Sequence, residues 1–211
     1  GYKIAKYYDG ARNGNPHSPE DISKCMGLLR NFHQSGLQVD HPFDIRERID
    51  FYEMLCKTHG NILFEDYREV HGRMAELMDW LDSLGRPKTL SHIDSNFDNF
   101  LMLPDGGVRL IDWEYAGMGD YANDFGTFCV CEQLSEDEML RALTSYFDRT
   151  PTDVEWRHNL GQVGMAGWCW YAWSLLKESE GDNVGEWAYI YYRHAKTYLK
   201  KALDLYEAAG K

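Results

Sequence analysis

Four polar residues carry the first recognisable chemistry of this chain: His92, Asp94, Asn99 and Asp112. They lie within the stretch KTLSHIDSNFDNFLMLPDGGVRLIDWEYAGMGDYANDFGTF, from Lys88 to Phe128. Asn99 follows Asp94 by five residues, and Asp112 follows Asn99 by thirteen. A carboxylate, an amide and a second carboxylate in that order suit phosphoryl transfer from ATP. The first Asp accepts or orients the hydroxyl proton of the acceptor, while the Asn and the second Asp hold magnesium ions that bridge the phosphates. Asp94, Asn99 and Asp112 are therefore the expected catalytic set, with Asn99 and Asp112 the expected metal ligands. His92 is expected to anchor the loop. Read alone, an HxD or an Asp at a strand end is an ordinary capping or solvated loop residue. HxDxxxxN followed by a hairpin and then an apolar run ending in Asp is a signal of several parts.

The elements that must position these residues are legible beside them. Asn99 to Leu103 and Val108 to Asp112 are short apolar-rich runs joined by Pro104-Asp105-Gly106-Gly107, a hairpin turn of the Asp-Gly type. Folding that hairpin brings Asn99 and Asp112, at its open ends, to one metal cluster.

The stretch resembles the kinase-like phosphotransferases that include choline kinases, ethanolamine kinases and aminoglycoside phosphotransferases, and looks most like the choline kinases. His92-Ile93-Asp94-Ser95-Asn96-Phe97-Asp98-Asn99 carries the catalytic-loop resemblance, and Ile111-Asp112-Trp113-Glu114-Tyr115 stands where protein kinases have Asp-Phe-Gly. Glu114-Tyr115 tilts the resemblance toward choline kinases, and Asp120, Tyr121 and Asp124-Phe125-Gly126 extend it through Phe128. The resemblance implies ATP and Mg²⁺ as cofactors and a bracing role for Asp124, which would accept backbone hydrogen bonds from the catalytic loop. Asp98 reads as a solvated loop carboxylate.

Composition bounds the partners. The 211 residues are 44% hydrophobic and carry 22 basic against 34 acidic side chains, a formal charge of −12. That balance argues against a nucleic-acid groove or an anionic membrane surface and favours a cationic ligand. The five cysteines show no CxxC pair, which points to reduced thiols and a cytoplasmic setting, with Cys129 and Cys131 packed in the core. The apolar runs are too short for a membrane span.

The fold expected is α+β and mostly α-helical, a protein-kinase-like carboxy-terminal lobe with a small catalytic β-hairpin and its amino-terminal lobe absent. Residues 1–10 read as the last strand of that lobe and the hinge, with Lys6, Tyr7 and Tyr8 against the nucleotide, and 11–211 as a single domain. No glycine-rich phosphate loop or strand lysine precedes them in this sequence, so the chain alone is expected to be inactive without its own amino-terminal lobe. Helices are expected from Ser18-Pro19 to about Ser35, with a stripe of Ile22, Met26, Leu29 and Phe32, then over about 45–58 and 66–84. His33 reads as an ordinary interface histidine, and Glu69, His71, Arg73 and Glu76 as a solvated face. Capping boxes at Ser135 and Thr152 open two further helices, and a last one begins near Asn183.

Trp170 and Trp173 share one helix face, as do Tyr189 and Tyr192 on the last helix. Rings at helical spacing are ordinarily core. Choline kinases, however, have a similar Trp-x-x-Trp-Ser helix and a following aromatic helix lining the choline pocket. The resemblance therefore implies that Trp170, Trp173, Trp187 and Tyr192, with Glu114, Tyr115 and Asp120, hold choline or a similar small amine by cation–π attraction and a carboxylate. Ethanolamine, thiamine or an aminoglycoside are the alternative acceptors on the same fold. A non-catalytic amine-binding lobe is the alternative from another class.

Overall fold

Local chemistry starts most of the helices. The computed structural model describes residues 6–59 and 64–210. In α1 (Pro19–His33) Pro19 takes the first turn and the Ser18 hydroxyl accepts from the Asp21 amide at 3.3 Å. Asp44 caps α2 (Ile45–His59) by accepting from the amides of Arg46 and Glu47. Helix α3 (Tyr67–Ser83) follows Asp66. After α4 (Ala122–Cys131), both α5 (Glu136–Phe147) and α6 (Asp153–Ser179) open on reciprocal capping boxes, Ser135 with Glu138 and Thr152 with Glu155. The chain ends in α7 (Gly185–Ala208).

The strands are short and serve the loops between them. β1 (Arg12–Asn13), β3 (Phe100–Met102) and β4 (Val108–Leu110) form one antiparallel sheet in the order β1-β3-β4, with Phe100 opposite Leu110 and Met102 opposite Val108. β2 (Thr89–Ser91) pairs antiparallel with β5 (Gly117–Gly119). The expected hairpin is present, and its turn is closed by Leu103 N donating to Gly107 O at 2.8 Å with Gly106 at φ +85°. A bidentate ion pair from Arg12 to the buried Asp21, at 2.7 and 3.0 Å, fastens the edge of this sheet to α1.

Helix α6 is the axis of the core. It is apolar around most of its circumference, as a helix surrounded by others must be, and α2, α3, α4 and α7 pack on it. Glycines set two of these distances: a Cβ at Gly167 would stand 2.8 Å from Ala195 N on α7, and one at Gly126 would stand 2.5 Å from Gln162 O. Backbone meets backbone there, and no other side chain fits.

Three expectations need correction. The strand expected over the first eight residues falls largely outside the described residues, and Lys6–Tyr8, which are described, form no strand. Phe32 is only half-buried, because its ring leaves the α1 stripe to meet Trp113 edge-on at 4.9 Å. His71 is not simply solvated: the buried carboxylate of Glu53 on α2 takes Trp168 Nε1 at 2.6 Å and His71 Nε2 at 3.2 Å, so α3 must turn His71 inward. His33, in contrast, is the interface histidine expected.

One buried histidine makes the fold sensitive to acid. His194 on α7 is 7% exposed, and its ring nitrogens have no partner among the described residues. Burial, helped by the charge of Arg193, lowers its pKa from 6.5 to about 4. The folded ring is thus neutral where the unfolded one takes up a proton, so stability is complete above the unfolded pKa and is lost as pH falls toward the folded one. Between pH 7 and 4.5 this group should remove about 2–3 kcal/mol. In urea titrations His194→Phe should lose that much less on acidification than the parent protein; equal losses would acquit His194.

Candidate functional site

The buried carboxylate of Asp124, on α4, holds the loop that follows β2. Its Oδ2 accepts from His92 N at 2.9 Å and its Oδ1 from Ile93 N at 2.5 Å, while its backbone oxygen accepts from the Ser95 hydroxyl at 2.5 Å. Ile93 needs this support, because at φ +73° a β-branched residue sits where its side chain crowds the backbone. His33 completes the brace, with Nε2 2.8 Å from Asp124 Oδ2 and Nδ1 2.8 Å from the Tyr146 hydroxyl. The geometry matches the bracing role anticipated for Asp124.

Asp94 emerges from this loop with both oxygens oriented. Asn96 Nδ2 donates to Oδ1 at 2.8 Å, and Asn99 Nδ2 donates to Oδ2 at 3.0 Å and to the Asp94 backbone oxygen at 2.7 Å. Burial raises the Asp94 pKa above the ordinary carboxylate value; the two amides and His92 oppose the rise, and the charge of Asp112 adds to it. A carboxyl raised by burial and already aimed is better matched to taking a proton than a solvated one.

Strand pairing brings Asp112 to the same place. Ile111 N donates to Asn99 O at 3.0 Å, and His92 Nε2 donates to Ile111 O at 2.8 Å, so His92 does anchor the loop. Asp112 follows at φ +63°, a left-handed conformation that Asp tolerates better than most residues. Among the described residues no group of three or more His, Cys, Asp or Glu could hold a metal ion. Mg²⁺ asks for less, one or two carboxylates with the rest of its shell from phosphates and water. The donors fit that demand: Asn99 has its nitrogen committed to Asp94, which leaves Oδ1 to offer, and Asp112 brings a half-exposed carboxylate.

The other expected residues fall into five places. Lys6, Tyr7 and Tyr8 face Leu103, Pro104 and Asp105 across an open cleft of about 320 Å³, with Lys6 Nζ 4.9 Å from the Tyr8 ring. Tyr115 meets Trp170 edge-on at 5.9 Å, Trp170 meets Trp173 at 5.8 Å, and Glu114 is exposed beside them. Burial first, then the charges of Glu114 and Asp94, raises the Tyr115 pKa, which sets that ring close to both carboxylates. The structure does not bring Asp120 or Tyr192 to this group. Asp120 lies 2.8 Å from His158 Nε2 and accepts from Ala122 N; burial disfavours its charge, but these partners hold its pKa below the ordinary value. Tyr192 stacks on Phe64 at 4.2 Å and donates to Asp66 at 2.7 Å.

Trp187 stacks instead on Tyr191, at 5.9 Å, and the Tyr191 hydroxyl lies 3.8 Å from Cys131 Sγ. Burial raises the Tyr191 pKa, and the charge of Asp94 contributes. Trp187 thus pairs with Tyr191, not with Tyr192. The spacing carried that information, because Trp187 and Tyr191 are four apart and share a face whereas Trp187 and Tyr192 are five apart. Asn96 was also missed.

Comparison with known proteins agrees with this geometry. A sequence model of the phosphotransferase enzyme family, APH, matches residues 3–157, and the chain belongs to that family. Two LicA proteins of Haemophilus influenzae are 28% identical over 201 and 204 residues, 89% of this chain and 73% and 58% of theirs. A thiamine kinase of Salmonella heidelberg is 32% identical over 111 residues, 47% of this chain and 39% of that protein. The crystal structure of choline kinase LicA from Streptococcus pneumoniae superposes with a TM-score of 0.80 at 26% identity, covering 93% of this chain and 69% of that one. The mostly helical chain with small antiparallel sheets is thus a phosphotransferase fold of the kinase-like type.

Removing the brace should be costly. Asp124→Ala strands the amides of His92 and Ile93 and the ring of His33 in the interior, at an expected loss of about 3–5 kcal/mol in urea unfolding. A loss below about 1 kcal/mol would mean that water or a neighbour replaces the carboxylate.

Proposed function

We propose that this chain is the catalytic and acceptor-binding part of a choline kinase-like phosphotransferase that moves the γ-phosphoryl group of ATP to the hydroxyl of choline. Asp94 orients the hydroxyl and takes its proton as the oxygen–phosphorus bond forms and the bond to the departing ADP breaks. Asn99 and Asp112 would hold Mg²⁺, which would supply neutralisation of the phosphate charge. Lys6, Tyr7 and Tyr8 face the nucleotide across the cleft from Leu103. The five free thiols are consistent with a cytoplasmic protein, and no helix among the described residues is long and apolar enough to cross a membrane.

The observation that carries this reading is the meeting of Asp94, Asn99 and the Asp112 backbone at one end of the hairpin, with Tyr115, Trp170 and Trp173 beside them. Ring faces are the best available hold on a cation that cannot donate a hydrogen bond. Arg48 refines the position: its guanidinium stands 5.8 Å from the Tyr52 ring and lines the same apolar cleft as Tyr115 and Trp170. Like charges repel, so the ammonium belongs at the Tyr115 end, nearest Glu114 and Asp94. The likeness to choline kinase LicA supports choline. The thiamine kinase likeness supports a second reading, in which the cation is the ring nitrogen of thiamine and the same rings stack on it.

Two experiments on the full-length protein test the proposal. Asp112→Asn keeps the size and the left-handed tolerance of the residue but loses its charge, and Mg²⁺-dependent turnover should fall at least about 100-fold with little change in melting temperature. Retention of more than about a tenth of the rate would remove Asp112 from the metal site. For the acceptor, choline and ethanolamine are titrated against Tyr115→Leu and Tyr115→Phe. Leu should weaken choline several-fold and Phe much less, because Phe keeps the ring. Ethanolamine, which can donate to a carboxylate, should respond less. Equal choline binding by both variants, or tighter binding of ethanolamine or thiamine throughout, would displace choline.

A further inference from the structure

We propose that the polar cavity beside Asp120 binds a small phosphomonoester whose tail carries hydrogen-bond donors, at a site separate from the phosphoryl-transfer centre. The cavity is about 200 Å³ and lies between the start of α2, the turn at residues 85–88 and the facing sides of α4 and α6. Its volume is below the roughly 300 Å³ at which pockets for drug-sized ligands begin, so the occupant is small.

The charges around it are unevenly satisfied. Asp44 caps α2, Asp82 is paired with Arg46 at 2.9 Å, and Asp120 has His158 and the Ala122 amide. Arg86 and Lys88 line the same cavity, and among the described residues neither has a carboxylate within 4.0 Å. These two cations at one mouth have no salt bridge among the described residues, Arg86 acting on Asp120 only at longer range. Together they suit a doubly charged oxyanion better than a single carboxylate.

The inner wall asks for the opposite kind of group. Asn123 and Gln162 are each 4% exposed, both line the cavity, and Asn123 Oδ1 and Gln162 Oε1 have no hydrogen-bond partner among the described residues. Buried amide oxygens without donors are costly, by about 1–3 kcal/mol each, so something that donates belongs against them. Hydroxyl groups on the tail of the ligand would do so while its phosphate meets Arg86 and Lys88. Asp94, Tyr115 and Trp170 do not line this cavity, but Phe43, Ile45 and Asn123 form a wall shared with the apolar cleft that those rings border. The site is therefore a neighbour of the proposed acceptor pocket and not part of it.

The test is calorimetric titration of the full-length protein, without nucleotide and at low salt, with glycerol 2-phosphate, inorganic phosphate and glycerol. Glycerol 2-phosphate should bind most tightly, phosphate more weakly and glycerol not measurably. The double variant R86Q/K88Q, which changes only half-exposed or exposed side chains, should weaken both phosphates at least tenfold. Gln162→Leu should bring glycerol 2-phosphate down to the affinity of inorganic phosphate and leave the latter unchanged. Tyr115→Leu, at the acceptor pocket, and Arg109→Gln, whose guanidinium lies 5.9 Å from the Tyr8 ring beside the nucleotide cleft, should change neither. Absence of millimolar binding would mean that the cavity holds only water. Binding that survives R86Q/K88Q, or that is lost with Tyr115→Leu or Arg109→Gln, would place the phosphate elsewhere and overturn the proposal.

Discussion

One buried carboxylate organises the catalytic loop. Asp124 has no exposed surface, yet it accepts from two consecutive backbone amides and a histidine ring, and its own backbone oxygen takes a serine hydroxyl. Burying a charge is tolerable only when it is satisfied to this degree. The left-handed turn at Ile93, the aim of Asp94, and through His92 the position of Ile111 all follow from it. α4 carries this group and packs directly against α6, so the loop is referenced to the centre of the core and not to the surface.

The parts of the structure that were legible in the sequence are those decided locally. Ser135 with Glu138 and Thr152 with Glu155 are complete within four residues, and both boxes formed as read. The hairpin turn is local too, and once it closes, the pairing of Asn99 with Ile111 follows from counting. The family resemblance read from this stretch agrees with the family to which the chain belongs. What was not legible depends on how helices are rotated about their own axes. Tyr192 and Tyr191 differ by one residue and face different clusters; the four-residue step from Trp187 points to Tyr191, but the cluster each ring meets depends on the close backbone approach of α7 to Gly167, where Ala195 N and Tyr191 O would stand 2.8 and 3.2 Å from a Cβ. Asp120 is similar. Its side chain was expected at the amine, but the β2–β5 pair and the first turn of α4 direct it to His158, a partner 38 residues away that no spacing rule connects to it.

The candidate site spreads its parts over elements of unequal burial. Asp94 and Asn99 sit on a braced loop, and Asp112 follows a strand only three residues long. Tyr115 and Trp173 are half-buried, and Glu114 is exposed. Such a division fits a centre in which the reacting groups must be pre-aimed while the acceptor has to enter and leave. The acidic balance of the chain suits a cationic acceptor at long range, and the local cations Arg48, Arg86 and Lys88 then decide where positive charge is unwelcome.

The glycines of α6 have a consequence for how such a protein can diverge. Because Gly167 and its neighbour Gly164 let α7 touch the α6 backbone, the separation of the two helices is set by main-chain atoms and not by the side chains between them. The less buried rings, Trp173 and Trp187, can then be exchanged one at a time without moving the frame that presents them. A lineage built on this frame can vary the rings it displays through single codon changes, with the helix pair as the inherited constant.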